Sequence, residues 1–289
     1  MSTPNDPSTA GASNDQSDLD GHVAVLGIRS DVKSSFLRGP AEAPPKIRKA
    51  LHDGSSNRTS EIGVDLETCG RFTDLGDHLI GDRDEDVLAI EGHVAELLGR
   101  GAMPLILGGD HAITYPVLRA MADRHGPLHI LHFDAHCDLY DVFEGDRLSH
   151  ACPFARIMEE GLARRLVQVG IRTLNAHQKK QVERFDVEVH EMRHLDVGAF
   201  EPDFDGPIYL SFDMDSLDPA FAPGISHYEP GGLSVRDVLR IVHRIEAPIL
   251  GADIVEYNPR RDQHDRTAMV AAKLVKEIGG RMLLNSPAA

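Results

Sequence analysis

Short apolar runs alternate along this chain with stretches whose apolar residues fall at helical spacing. That alternation restricts the fold more than any other feature. HVAVLGI at 22–28, MPLILGG at 103–109, LHILHF at 128–133 and VQVGIR at 167–172 read as strands, as do GPIYLSFDMD and APILGADIVE further on. Between them, DVLAIEGHVAELLGRG at 86–101 carries Val87, Ile90, Val94, Leu97 and Leu98 on one helical face and ends in Gly. VLRAMADRHG, FARIMEEGLARRL and the closing RTAMVAAKLVKEI read as further helices. In LSVRDVLRIVHRI, Ser234 and Asp237 have the spacing of a capping box, ahead of a stripe of Val235, Val238, Leu239, Val242 and Ile245. Strands separated by helices build βαβ units. The expected fold is therefore α/β: three layers, with a mostly parallel central sheet and helices on both faces. One domain is expected over residues 21–289. Residues 1–20, nearly free of large apolar side chains, are expected to form a disordered tail.

Composition narrows the function. A formal net charge of −16 argues against nucleic acid or an anionic membrane surface as a partner, since both need cationic protein surface. Aromatics are 5% of the chain and Trp is absent, so no base-stacking platform is evident. No apolar run is long enough for a membrane helix. The three cysteines, Cys69, Cys137 and Cys152, form no CxxC pair, and the N-terminal stretch has neither an apolar h-region nor any Arg. These features point to a reducing compartment, and a cytoplasmic location is the expectation.

The chemistry gathers where apolar runs stop. LILGGDH ends in Asp110 and His111, ILHFDAHCD in Asp134, His136 and Asp138, IYLSFDMD in Asp213 and Asp215, and ILGADIVE in Asp253 and Glu256. Ligands of open α/β sheets bind beyond the carboxyl ends of the strands, so these four ends face one crevice. In extended backbone, residues i, i+2 and i+4 point the same way, which would aim Asp134, His136 and Asp138 at one place. Carboxylates crowded together repel unless a cation lies among them. His111, Asp134, His136, Asp138, Asp213 and Asp215 make six candidate ligands, and a carboxylate can bridge two ions. Their oxygen-rich composition favours Mn²⁺, while two imidazoles leave Zn²⁺, Co²⁺ or Ni²⁺ open. GGDH alone would be a turn with a satisfied Asp and His, and DMD alone a solvated strand end. It is the conjunction of three such motifs in one chain that points to metal. His132, one pair deeper in its strand, reads as a satisfied core histidine, and Cys137, of opposite parity, as packing away from the metals.

The motifs GGDHAITYP, HFDAHCDLYD, SFDMDSLDPAFAPG and DIVEYNP resemble those of the ureohydrolases, the family of arginases and agmatinases. The resemblance starts at SSFLRGPAEAPPKIRKAL and is nearest to plant-type arginases through YDVFEGDRLSHACPFARIMEEGLARRLVQVGIRT and PGISHYEPGGLSVRDVL. It implies hydrolysis of a guanidino substrate to urea and an amine at two Mn²⁺ per subunit, in a homotrimer or homohexamer. It implies one metal held by His111, Asp134, Asp138 and Asp213, and the other by Asp134, His136, Asp213 and Asp215. Asp134 and Asp213 then bridge, and Asp138 also accepts from a hydroxide nucleophile between the metals. Glu256 takes the place of the guanidinium-binding carboxylate, which suits a planar N–H fork, and His150 that of the proton shuttle.

The resemblance says less about which guanidino compound is cleaved. Asp146 stands in EGD where plant-type members have Asn, and an ionised Asp would repel the α-carboxylate of arginine. Asn175, in GIRTLN, aligns with the position that holds the α-ammonium in animal enzymes, and Ser149 could donate to a carboxylate. L-arginine is the leading substrate, with agmatine or another guanidino compound as the alternative. A metal-binding protein without activity is a further reading. So is a deacetylase-like hydrolase on the same fold, against which Glu256 speaks.

Overall fold

A computed structural model of the protein describes residues 18–286. The expected tail lies outside these residues up to position 17. Of its last three positions, Asp18 pairs with Arg100 at 2.7 Å and Leu19 is buried.

The strands are β1 Val23–Arg29, β2 Phe72–Leu79, β3 Met103–Leu107, β4 Leu128–Phe133, β5 Ala163–Ile171, β6 Glu188–Glu191, β7 Ile208–Asp213 and β8 Ile249–Val255. They form one sheet in the order β2-β1-β3-β8-β7-β4-β5-β6, with every pairing parallel. Alternate residues of each central strand enter opposite cores. Leu105, Leu131, Phe133, Leu210 and Phe212 face one side. Ile106, Ile130 and Tyr209 face the other. Helices α1 Ala43–His52, α7 Val235–Arg244 and α8 Arg266–Asn285 cover the first side. Helices α2 Asp84–Leu88, α3 Ile90–Gly99, α4 Thr114–His125, α5 Pro153–Glu159 and α6 Ala176–Phe185 cover the second. The three-layer α/β arrangement is thus the one the alternation implies.

Helix α7 illustrates how local sequence sets an element. Ser234 Oγ accepts from Asp237 N at 3.1 Å and Asp237 Oδ2 accepts from Ser234 N at 3.1 Å, the reciprocal cap read from the spacing. Such a cap stabilises a helix start by about 1 kcal/mol. Burial of Val238, Leu239, Ile241 and Val242 outweighs it, since each fully buried aliphatic side chain contributes roughly 1.5–3 kcal/mol.

Three local expectations differ from the structure. The single helix at 86–101 divides at Ala89 into α2 and α3. The helix read through FARIMEEGLARRL stops at Glu159, because Gly161 takes φ 64°, and Ala163 already belongs to β5. The edge strands β2 and β6 and the helices α1 and α6 gave no recognised pattern. FTDLGDHL and EVHE lie largely outside the core and so lack the apolar run that marks a central strand.

Candidate metal centre and substrate cavity

The four strands β3, β8, β7 and β4 are neighbours in the middle of the sheet, so their carboxyl ends open on one place. Three of them end with the same local device. Asp110 Oδ1 accepts from Ala112 N at 3.2 Å, Asp134 Oδ1 from His136 N at 2.6 Å, and Asp213 Oδ1 from Asp215 N at 2.7 Å. Each carboxylate thereby closes a turn onto the amide two residues on. This corrects the expectation from strand parity. Strand β4 stops at Phe133, and Asp138 is brought back toward the cluster by left-handed backbone, with φ 48°. Glu256, just past β8, is also left-handed, with φ 63°. Strained backbone of this kind persists where surroundings over-determine it.

All six proposed ligands converge. His111 Nδ1 lies 3.3 Å from Asp134 Oδ2, 3.2 Å from Asp138 Oδ2 and 3.1 Å from Asp213 Oδ2. His136 Nδ1 lies 3.3 Å from Asp134 Oδ1 and 3.1 Å from Asp215 Oδ2. The two oxygens of Asp134 therefore face different imidazoles. Ligand atoms in adjacent octahedral positions, each about 2.1 Å from a cation, stand about 3 Å apart. The observed spacings match.

A proton count along His111 sharpens the fit. Ser211 Oγ donates to Asp253 Oδ1 at 2.8 Å, so it must accept from His111 Nε2 at 3.0 Å. In the neutral ring Nδ1 is then the lone-pair nitrogen. Among the described residues it is buried and hydrogen-bonded to nothing, although three carboxylate oxygens surround it. A neutral imidazole nitrogen among three carboxylate oxygens fits a divalent cation, and a proton on Nδ1 is what the same oxygens favour in its place. Asp253 is itself no wall of the centre. It takes Thr114 Oγ1 and Tyr209 OH, both at 2.8 Å, as well as Ser211, and so anchors the orientation of His111 from behind. His132 plays the same part for Asp134. Its Nε2 lies 2.9 Å from Asp134 Oδ2, Gln168 Nε2 lies 3.0 Å from its Nδ1, and its ring stacks on Phe154.

The charges respond as a crowded anionic cluster must. Burial, then Asp215 and Asp134, push Asp213 well above the usual carboxylate range. Burial opposes the ionisation of Asp134, yet His111, His132 and His136 outweigh it and hold that carboxyl well below. Burial likewise opposes charge on His111, but Asp134, Asp138 and Asp213 push it well above its ordinary value. The cluster calls for positive charge.

Beside it lies a cavity of about 280 Å³ whose wall includes His136, Asp138, His150, His227, Asn175 and Glu256. Glu256 Oε1 accepts from His111 N at 2.9 Å and is 2.7 Å from His150 Nδ1. Burial opposes charge on His150, and Glu256 overcomes it, pushing the imidazole up to about 9. Asn175 caps α6 through Gln178 N at 3.0 Å and meets Tyr140 OH with its amide. Ser149 and Asp146 stand behind the wall. Ser149 is buried, and Asp146 Oδ2 is held by Lys33 Nζ at 2.7 Å, which also binds Asp84. The charge of Asp146 is thereby partly offset, since Lys33 is shared with Asp84. Sequence reasoning did not single out Lys33, Ser35, His227, Ser211 or Arg172. Arg172 donates to the carbonyls of Asp215 and Glu229, both at 2.7 Å, and so fixes the loop after β7.

Residues 21–280 match the Arginase family. This chain belongs to the arginase family. It is a ureohydrolase, acting on guanidino C–N bonds. It is 47% identical over 280 residues to a protein of Arabidopsis thaliana named "Arginase 1, mitochondrial", covering 90% of this chain and 81% of that one. The solved arginase from Medicago truncatula superposes with a TM-score of 0.86 at 45% identity, over 90% of this chain and 87% of that one. An agmatinase of Chromobacterium violaceum is 35% identical, over 90% of this chain and 84% of its own length. The cytoplasmic expectation is overturned, because the plant arginases similar to this family member are named mitochondrial or chloroplastic. Unpaired cysteines suit any reducing compartment, so composition could not have singled out the cytosol. No described helix is long and apolar enough to cross a membrane.

Proposed function

We propose that the chain hydrolyses the guanidino group of L-arginine to give urea and L-ornithine, with two Mn²⁺ per subunit. The observation that carries this reading is the buried His111 Nδ1 among three carboxylates, two of which, Asp138 and Asp213, line a cavity together with Glu256. His111, Asp134, Asp138 and Asp213 would hold one cation. Asp134, His136, Asp213 and Asp215 would hold the other. When bound, the cations supply Lewis-acid activation of a water molecule. The chain's own residues do the rest. Among the described residues the hydrogen bonds of the Glu256 carboxylate fall on Oε1, so Oε2 is left to receive the planar N–H edge of a guanidinium. His150 Nδ1, 2.7 Å from Glu256, reaches the same group and holds the proton that the departing amine needs. Lys33 offsets part of the charge of Asp146, which weakens the objection to a substrate carboxylate.

One observation favours a second reading. No Lys or Arg is among the residues lining the cavity, so an α-carboxylate would meet no ammonium or guanidinium there, only donors such as Asn175 and Thr173 and the wall's imidazoles. Agmatine or a related guanidino compound, lacking that carboxylate, is the alternative. Urea release from arginine, agmatine, guanidinobutyrate and guanidine, measured with Mn²⁺, separates them. A kcat/KM ranking led by agmatine would replace the first reading with the second. We further propose that residues 21–289 act as one catalytic unit after a disordered tail, in a homotrimer or homohexamer. Light scattering on the purified protein reads the subunit number.

A further inference from the structure

The segment after β1 grips His150 from the side opposite Glu256. Lys33 N donates to Asp110 Oδ2 at 2.9 Å, which ties the segment to the end of β3, and Lys33 O accepts from His150 N at 3.2 Å. Ser35 then meets the imidazole twice at one atom. Its peptide N–H donates to Nε2 at 3.1 Å, and its Oγ lies 2.8 Å from the same nitrogen. Among the described residues, no other group hydrogen-bonds that nitrogen. The titratable groups facing His150 are Glu256, Asp110, Asp138 and His227, and none of these bonds Nε2. Ser35 also forms part of the cavity wall.

Two influences on His150 disagree. The Glu256 carboxylate draws the ring toward its cation, whereas a peptide N–H can only donate and so requires a lone pair on Nε2. The Ser35 N–H bond suits the neutral ring with its proton on Nδ1, aimed at Glu256 Oε1; a second proton on Nε2 gives the imidazolium, which becomes neutral again when its Nδ1 proton passes to the departing amine. The Ser35 hydroxyl can donate to Nε2 or accept from it, so it holds the ring in either protonation state. We infer that Ser35 is a positioning residue of the hydrolysis. Its amide and hydroxyl fix the plane of His150 at Nε2, so that Nδ1 stays turned to Glu256, where the guanidino group is proposed to bind. The inference rests on the proton-donating role proposed for His150.

The test uses the full chain loaded with Mn²⁺ and the guanidino compound it turns over fastest. Ser35→Ala should lower kcat about tenfold, the scale of a small misplacement of a reacting group, with KM nearly unchanged. Ser35→Thr, which keeps the hydroxyl, should recover most of the loss. In a His150→Asn background, Ser35→Ala should cost nothing further. Wild-type kcat in Ser35→Ala would overturn the inference. So would a loss carried in KM alone, or an equal loss in the His150→Asn background. If His150→Asn itself kept full kcat, the proton-donor reading would fall and Ser35 with it. That result is distinct from a crippled His150→Asn beside an unimpaired Ser35→Ala.

Discussion

Replacing Ser211 by Ala should weaken metal binding without touching a single metal ligand. Ser211 is fully buried and joins His111 Nε2 at 3.0 Å to Asp253 Oδ1 at 2.8 Å. Without the hydroxyl, His111 keeps a buried N–H with no acceptor, and Asp253 loses one of its donors. Leaving such a group unpaired costs about 1–3 kcal/mol of stability. The ring is then free to turn, and loss of an outer partner of this kind typically lowers metal affinity about 10–100-fold. The two effects separate in one experiment. At free Mn²⁺ one hundred times the wild-type Kd, binding stabilises the wild type by about 2.7 kcal/mol, whereas a roughly 30-fold weaker site gains only about 0.9 kcal/mol. Melting curves with and without Mn²⁺ should therefore give the variant about a third of the wild-type metal-dependent stabilisation. Calorimetric titration gives the Kd directly. A variant that bound Mn²⁺ with wild-type affinity, and melted with the wild-type metal increment, would refute the claim that Ser211 aims His111.

Other expectations follow from the same geometry. Asp213→Asn should lose both metal content and urea production, because this carboxylate faces His111 and closes the turn that carries Asp215; metal analysis beside a urea assay checks it. Lys33→Met should unmask Asp146 and lower kcat/KM for arginine relative to agmatine severalfold, read from paired kinetics. Far from the cavity, Arg236 holds Glu61 down at about 2, against burial and with help from Lys273. A depressed folded value gives stability that is present above the unfolded value near 4.5 and lost as pH falls toward 2. Glu61 is partly exposed, so the effect is small and screened. Glu61→Gln should flatten the acid limb of a denaturation series at low salt and change little at neutral pH.

The centre of the sheet and its chemistry were legible because both leave strong marks in sequence. LHILHF and IYLSFD are buried throughout and mostly apolar, since their strands are covered on both faces, and the cluster of acidic and imidazole groups that follows breaks the run abruptly. What the residues alone could not supply was the manner of convergence. Asp134, His136 and Asp138 meet through a side-chain turn and a left-handed residue, not through strand alternation, and nothing in DAHCD specifies φ at Asp138. The residues behind the ligands were hidden for a related reason. Ser211 and Asp253 sit inside strands as lone polar positions, and only tertiary pairing makes them a chain leading to His111. Lys33 and Ser35 lie more than a hundred residues from the Asp146 and His150 they hold, in a segment with no periodicity to mark it.

The order of the strands has a consequence for synthesis. Strand β8, last in the chain, is the piece that joins β2-β1-β3 to β7-β4-β5-β6. Until residues 249–255 emerge from the ribosome, His111 belongs to one half-sheet and the aspartates of β4 and β7 to another. A growing chain, or one cut before β8, thus lacks the strand that brings its ligands together. Arrival of β8 is what joins the two halves that carry the ligands, and long-range insertions of this type are slow steps in folding.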